Sequence, residues 1–176
     1  MALLRSLAGR GDAKAERQIG HILLRGLFMQ PKNPVEAVRW LNSAISDGYR
    51  NPKRTYGPTA PKTLLGKLYL KGDEGVDRDS PRGIRLLTEA SADGDHWAQY
   101  ILGRHYVNDA EASEKTLQEG VRLLMQTHAT DPFGSAKEHL GYCYLHGKGV
   151  LQDVREGARL MGQRHPMTEN LKTVEG

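Results

Sequence analysis

The stretch "LGYCYLHGKGV" (140–150) places Gly141, Gly147 and Gly149 in a segment whose other residues favour a helix. A glycine inside a helix costs about 1 kcal/mol relative to alanine, so glycine at a regular place requires a structural reason. The same spacing recurs upstream in two clear copies and one fainter copy. These copies are "LLGKLYLKGDEGV" (64–76), "ILGRHYVNDAEA" (101–112) and "IGHILLRG" (19–26). The recurrence predicts an internal repeat.

Each copy is anchored on an apolar residue followed by a glycine. The four glycines are separated by 46, 37 and 38 residues and are Gly20, Gly66, Gly103 and Gly141. A small residue or proline stands five positions before each glycine, and an apolar or aromatic residue stands three positions after it. These residues are Ala15, Pro61, Ala98 and Ala136, and then Leu23, Tyr69, Tyr106 and Tyr144. The agreement predicts four copies of one helix, which we call helix A.

A second block follows each anchor, and its apolar residues have helical spacing. The blocks are "NPVEAVRWLNSAISDG" (33–48), "DSPRGIRLLTEASADG" (79–94), "TLQEGVRLLMQTHATD" (116–131) and "DVREGARLMGQRHP" (153–166). Each has a small residue, which is Ala37, Gly83, Gly120 or Gly157, and four positions later Leu41, Leu87, Leu124 or Met161. The N-cap positions predicted from this alignment are Asn33, Asp79, Thr116 and Asp153. We call this second helix helix B.

The regular glycine of helix A is expected to let a facing helix approach closely. Burying a leucine or an aromatic side chain beside it stabilises the fold by about 1.5–3 kcal/mol, which offsets the helix penalty. Glycines of a second kind lie between helices A and B, in "KGDEGVDRDS" (71–80) and "HGKGVLQD" (146–153). They are predicted to turn the chain through positive φ.

The repeats predict a single array over residues 1–164. Its repeats cover about 11–48, 57–94, 95–131 and 132–164, with an exposed inserted loop at 49–60 and a flexible tail at 165–176. Residues 3–15 overlay residues 86–98, so the chain begins midway through a B-type helix. Residues 1–10 are therefore a cap or half a repeat, and we expect that further repeats precede them.

Taken together, the columns A-x-x-x-L-G-x-x-Y-x-x-G and D-x-x-x-A/G-x-x-x-L resemble the Sel-one-like repeat, a relative of the tetratricopeptide repeat. The resemblance covers residues 11–161, although the third copy lacks the loop glycines and the first lacks the tyrosine. It implies an all-α fold, a right-handed α-solenoid of about four helix-turn-helix repeats. It also implies a non-enzymatic scaffold or adaptor role in protein–protein interaction, with regulation, envelope assembly and toxin neutralisation by an immunity protein all open.

Composition agrees with a folded chain, since 38% of the residues are hydrophobic and 26% are charged. The net charge of +4 permits an acidic protein partner and does not require nucleic acid, although a basic surface that binds nucleic acid or glycan is an alternative. No apolar run approaches the roughly 20 residues that span a bilayer. The chain as given is expected in the cytoplasm, or in the periplasm or outside the cell if a signal segment has been removed.

The candidate binding strip consists of helix A positions three before and one after the regular glycine. In stacked helical repeats the A helices commonly line the concave wall, and these positions are predicted to face away from the buried stripe. The strip is Arg17, His21, Thr63, Lys67, Tyr100, Arg104, Glu138 and Tyr142. A second candidate surface is the basic part of the inserted loop, formed by Arg50, Lys53, Arg54 and Tyr56.

Catalysis is not expected, because the sequence has no G-x-S-x-G, Walker A or H-E-x-x-H pattern, and no cofactor is expected. The alternative is a metal site or enzyme centred on His139, Cys143 and His146. Their spacing of i, i+4 and i+7 could place them on one side of a helix, where they could ligate zinc or copper. Against this, Cys143 aligns with Ile22 and Leu68, which favours a buried thiol.

Overall fold

The computed structural model describes residues 1–49, 60–129 and 135–162. Within these ranges the regular structure is nine α-helices, and a single β-bridge joins Asp73 and Val76. In the same ranges, no helix has both the length and the apolar character needed to cross a bilayer. The chain divides into two compact units, Met1–Ala98 and Gln99–Gly176.

The first unit contains two helix pairs preceded by a short helix. Its helices are α1 (Ala2–Ala8), α2 (Ala13–Arg25), α3 (Pro34–Ser46), α4 (Pro61–Lys71) and α5 (Ser80–Ala92). Helix α2 packs against α3 and α4 against α5, and these pairs are the predicted helices A and B of the first two repeats. Helix α1 packs on α2, and α3 packs on α4.

The second unit contains the third and fourth repeats. Its helices are α6 (His96–Asn108), α7 (Glu114–His128), α8 (Ser135–His146) and α9 (Val154–Leu160). The first three residues of α6 belong to the first unit. Helix α8 packs against both α7 and α9. The core of this unit is built around Leu124, Leu140 and Cys143, which are almost or wholly inaccessible to solvent.

The regular glycine of helix A lies where helix B crosses it, as predicted. A Cβ atom built on the glycine would approach the side chain of helix B's apolar column too closely. The distances to the Cγ atoms are 2.6 Å for Gly20 to Leu41, 2.6 Å for Gly66 to Leu87, 3.0 Å for Gly103 to Leu124, and 2.5 Å for Gly141 to Met161. Each glycine therefore makes room for the large side chain that the partner helix places over it.

The small residue of helix B makes the reciprocal contact. A Cβ atom on Gly83, Gly120 or Gly157 would lie 2.9, 3.1 or 2.8 Å from the carbonyl oxygen of the helix A glycine in the same repeat. The two backbones thus approach each other closely in these three repeats. In the first repeat Ala37 occupies the position. A Cβ atom on Gly20 would lie 3.4 Å from the Ala37 carbonyl oxygen, whereas on the other three helix A glycines it would lie 3.0–3.1 Å from the helix B carbonyl oxygen.

Three of the four predicted N-caps are confirmed. The side chains of Asn33, Asp79 and Asp153 accept hydrogen bonds from backbone N–H groups three residues later. The prediction of Thr116 was wrong, because α7 begins at Glu114 and Ser113 caps it by accepting from the Thr116 N–H at 3.2 Å. The third repeat lacks the glycines that the other repeats have in the loop between helices A and B. Its helix B begins about one helical turn earlier than the alignment predicted.

The loops between helices A and B use positive φ, as predicted for the loop glycines. Gly72 has φ of 74° and Gly147 has φ of 62°. In the first repeat, by contrast, the positive-φ residues after the helix end include Phe28 at 54° and Met29 at 59°. Both side chains are exposed, by 75% and 100% respectively. The residues of the second repeat that align with Phe28 and Met29 are Glu74 and Gly75.

The N-terminal residues repeat the geometry of the junction before α6. Gly11 and Gly94 have φ values of 79° and 83°. Asp12 and Asp95 follow them, and each accepts hydrogen bonds from the first backbone N–H groups of the next helix. The two stretches that the sequence overlays, 3–15 and 86–98, therefore share the same turn and the same aspartate cap.

Candidate functional site

The candidate strip separates into two helix A columns that differ in exposure. The column one position after the regular glycine reaches the surface at every repeat: Lys67 and Tyr142 are exposed, and His21 and Arg104 are half-buried. In the column three positions before the glycine, Arg17 and Tyr100 are half-buried and Glu138 is exposed.

Thr63 contradicts the prediction that its column faces solvent. It has no accessible surface, and its hydroxyl donates a 2.7 Å hydrogen bond to Oδ2 of Asp95. Asp95 is itself buried, with its other oxygen accepting from the N–H groups of Trp97 and Ala98 at the start of α6. A buried carboxylate requires donors on both oxygens, so Thr63 is part of the helix-capping arrangement and does not line a binding surface.

A groove lies between the helix A surfaces of α2 and α4, within the first unit. It has a volume of about 140 Å³. Its apolar part consists of Leu24, Leu64 and Leu68, of which the last two are buried. Its polar part brings His21 and Lys67 of the strip together with residues outside the strip, which are Arg25, Lys71 and Asp73.

Cationic side chains outnumber carboxylates among the described residues that line the groove. Burial, and then the charges of Arg25 and Arg17, lower the pKa of His21 below its usual value, so this imidazole is neutral at pH 7. Asp73 is paired, since its Oδ1 accepts from Lys32 Nζ at 2.6 Å. That bond and the Glu74 N–H lower the pKa of Asp73, which stays ionised. The net positive charge comes from Arg25, Lys67 and Lys71.

Sequence reasoning identified only His21 and Lys67 among the described residues that line this groove. Arg25 and Lys71 lie four residues after His21 and Lys67, and residues at i and i+4 share a helix face. The signal was therefore available in the spacing of basic residues on the two helices. The leucines of the groove could not be distinguished from core residues by their spacing.

The strip residues of the second unit form contacts among aromatic and cationic side chains. The Arg104 guanidinium lies 5.5 Å from the ring centroid of Tyr100, and that ring meets His139 edge-on at 5.8 Å. Tyr142 is 43% exposed, and its ring lies 4.4 Å from that of His146. This surface therefore presents tyrosine and arginine, residue types that dominate binding energy at interfaces.

The three residues of the alternative metal site are not brought together. Cys143 is fully buried in the core cluster, and burial raises the pKa of its thiol to about 11. A protonated, buried thiol is a poor metal ligand, because the thiolate is the coordinating form. The described residues contain no group of three or more histidine, cysteine or acidic side chains arranged to hold a metal ion.

The second candidate surface lies outside the described residues; it consists of Arg50, Lys53, Arg54 and Tyr56. The predicted tail and most of the inserted loop also lie outside them. Arg17 lies near the beginning of that loop, with its guanidinium 5.9 Å from the ring centroid of Tyr49.

The sequence model of the Sel1 repeat matches residues 13–49, 63–95 and 135–163, which together are more than half of the chain. The chain belongs to the Sel1 repeat family. The third copy is not among the matched Sel1 segments, and it is the copy that lacks the loop glycines. It nevertheless has the same close contact of helices A and B, at Gly103 and Gly120.

Solved structures of Sel1 repeat proteins resemble this chain over most of its length. One is a protective antigen present in uropathogenic Escherichia coli strains and displaying an SLR fold, with a TM-score of 0.77 and 28% identity. Another is a Sel1 repeat protein from Oxalobacter formigenes, with a TM-score of 0.71 and 22% identity. The matches cover 92% and 90% of this chain, which confirms the predicted fold class, an α-solenoid of helix-turn-helix repeats.

This Sel1 chain spans 32% of the first of those proteins and 58% of the second. No curated protein sequence matches it. Sel1 repeats typically mediate protein binding and are generally scaffolds, so membership supports a helical-repeat protein-interaction module.

Proposed function

We propose that the chain is a non-enzymatic module that binds another protein through the helix A surface of its repeats and acts as a scaffold or adaptor. The observation that carries this proposal is the groove between α2 and α4, where buried leucines lie beside the cations Arg25, Lys67 and Lys71. An apolar floor with a polar rim is the usual composition of a protein-binding surface.

The second unit adds support through residue type. Tyr100, Arg104 and Tyr142 all reach the surface on helix A positions. Tyrosine and arginine supply a large share of binding energy when a partner excludes water from them. The partner would then determine the role, whether immunity protein, envelope assembly factor or another regulatory adaptor of bacterial type. We propose that this partner has an acidic surface.

The proposal is tested by selecting binders from a displayed peptide library against the whole chain, and by measuring their dissociation constants calorimetrically. We expect micromolar binders that lose at least about fivefold in affinity with Tyr100→Ala/Arg104→Ala or with Lys67→Ala/Lys71→Ala. Each variant should keep the helical circular dichroism of the parent. Failure to recover any specific binder, or binders indifferent to both variants, would contradict the proposal.

A further inference from the structure

We infer that the groove between α2 and α4 binds an acidic peptide segment that inserts one apolar side chain between flanking carboxylates. The inference rests on the protein-binding role proposed above and adds the chemical class of the ligand. It depends on three features of the described residues: the size of the cavity, the sign of the charges around it, and the residue types that line it.

The size of the cavity fits a side chain and not a whole small molecule. Sites for drug-sized ligands and cofactors usually enclose about 300–1,000 Å³. This groove encloses about 140 Å³, and its apolar lining comes from Leu24, Leu64 and Leu68. An aliphatic side chain placed there would remove apolar surface from water on both partners, which favours association.

The charges around the cavity select carboxylates. Arg25 and Lys71 are exposed near the C-terminal ends of α2 and α4, and Lys67 is exposed one turn earlier on α4. Asp73 is the one carboxylate among the described residues that line the groove, and Lys32 pairs with it. Burial is the main cause of the lowered pKa of His21, and the charges of Arg25 and Arg17 act in the same direction. Acidic side chains on either side of the inserted residue complement the cations of the groove.

The lining favours a peptide over single-stranded nucleic acid, the other common polyanion. Proteins that bind single strands stack bases on aromatic side chains. The described residues that line the groove are aliphatic or charged apart from Gly72 and His21, and they include no tyrosine, tryptophan or phenylalanine. A leucine floor fits an aliphatic side chain better than a nucleobase.

The test uses the whole chain and three labelled peptides of about eleven residues, followed by fluorescence anisotropy. The first peptide has a central leucine flanked by glutamates, the second replaces that leucine with serine, and the third replaces the glutamates with lysines. We expect the first peptide to bind with a micromolar dissociation constant. The second should bind about fivefold more weakly and the third at least about tenfold more weakly. Raising the salt from about 50 mM to about 300 mM should weaken the first complex severalfold.

Variants locate the binding. Lys67→Glu/Lys71→Glu should weaken the first peptide at least about tenfold. The matched control, Arg39→Glu/Arg85→Glu, makes the same change in net charge at exposed positions of α3 and α5, and should alter affinity less than about twofold. If the first double variant loses helical circular dichroism, Arg25→Glu on α2 tests the groove from its other side.

The inference would be overturned by equal losses in the groove and control variants, or by equal affinity for the leucine and serine peptides. It would also be overturned if a single-stranded oligonucleotide displaced the labelled first peptide at a lower concentration than the unlabelled first peptide does. If library-selected binders still depend on Tyr100 and Arg104 in any of these cases, the inference fails and the protein-binding role stands. An absence of any specific binder from the library removes the role itself.

Discussion

At the scale of single residues, the regular glycine of helix A is explained by its steric contact with the large apolar side chain of helix B in the same repeat. Gly66 is typical: it occupies the middle of α4, where helix propensity alone would favour alanine. Its backbone lies against Leu87 and against the carbonyl of Gly83, so a methyl group has no room. The helix penalty of glycine is smaller than the gain from burying the leucine.

Replacing Gly66 with alanine is expected to lower the free energy of unfolding by about 1–2 kcal/mol. The new Cβ would lie 2.6 Å from Leu87 Cγ and 3.1 Å from the Gly83 carbonyl oxygen, which belongs to the backbone. Overpacking should therefore cost about 2–3 kcal/mol, the upper part of its usual range, against a gain in helix propensity of about 1 kcal/mol. Urea unfolding followed by circular dichroism measures the change. Arg85→Ala, at an exposed position of α5, serves as the control and should stay within about 0.5 kcal/mol of the parent. An unchanged midpoint for Gly66→Ala would contradict the contact.

A second residue with a stability effect is Glu16, an acidic side chain only 3% exposed in α2. One oxygen accepts a hydrogen bond from the Ser43 hydroxyl, and the other has no hydrogen-bond partner among the residues that the structure describes. Burial raises the pKa of Glu16, outweighing the Ser43 hydrogen bond, and Asp47 acts in the same direction as burial. The folded protein therefore holds the proton more tightly than the unfolded chain does.

The sign of the pH dependence follows from this raised pKa. The contribution of Glu16 to stability is fully present below its unfolded pKa and is lost as the pH rises through its folded pKa. Glu16→Gln keeps an acceptor for Ser43 without the charge. We expect the variant to be more stable than the parent at pH 7, with a difference that shrinks as the pH falls towards 4. Urea unfolding of both proteins across this range measures it, and a difference that grows on acidification would contradict the assignment.

At the scale of elements, the loops between helices A and B show two solutions to one turn. The second repeat places Gly75 at positive φ, whereas the first places Met29 at the aligned position and Phe28 before it. The left-handed region costs a residue with a Cβ about 1–2 kcal/mol. Because Met29 is fully exposed, the structure shows no burial that offsets this cost.

Met29→Gly is accordingly expected to raise the free energy of unfolding by about 0.5–1 kcal/mol. The change relieves the backbone strain, but part of that gain is lost because glycine gives the unfolded chain more conformational entropy. The converse change, Gly75→Ala, should destabilise, because φ is 72° and the new Cβ would lie 2.7 Å from Val35 Cγ2. Chemical unfolding of both variants gives the comparison. Destabilisation by Met29→Gly would mean that the methionine makes a contact that outweighs the strain.

Helix ends provide a second lesson at this scale. Asp12 and Asp95 cap their helices in the same way, yet only Asp95 is buried and receives a hydroxyl from another helix. Thr63 supplies that donor from 32 positions away in sequence. A column can therefore face solvent in one repeat and be buried in the next, depending on what the neighbouring element presents.

At the scale of the whole molecule, the single cysteine reports on folding. Cys143 is fully buried, and the pKa of its thiol is about 11. At pH 8 the native protein should react with dithiodipyridine at least about a hundredfold more slowly than the unfolded chain, because both thiolate fraction and access are reduced. With increasing urea, the fast-reacting fraction should follow the loss of helical circular dichroism. Rapid labelling of the native protein would show that Cys143 is accessible.

The sequence by itself determined the helix pairs, the regular glycines that bring them together, most of the N-caps and the membership of the Sel1 repeat family. These features depend on local spacing and on the contact between adjacent helices, which the repeated columns record several times over. The alignment failed at Thr116, where the third repeat lacks the loop glycines that fix the turn in the others.

Tertiary structure alone decided which strip positions reach the surface and what surrounds them. Thr63 is buried where its hydroxyl donates a hydrogen bond to the buried carboxylate of Asp95. The groove exists because α2 and α4, which come from different repeats, lie side by side. Burial and electrostatic field depend on all the groups that surround a position, including those far away in sequence. Periodicity along one helix identifies a face, whereas only the packing of its neighbours determines whether that face meets water, a leucine or a charge.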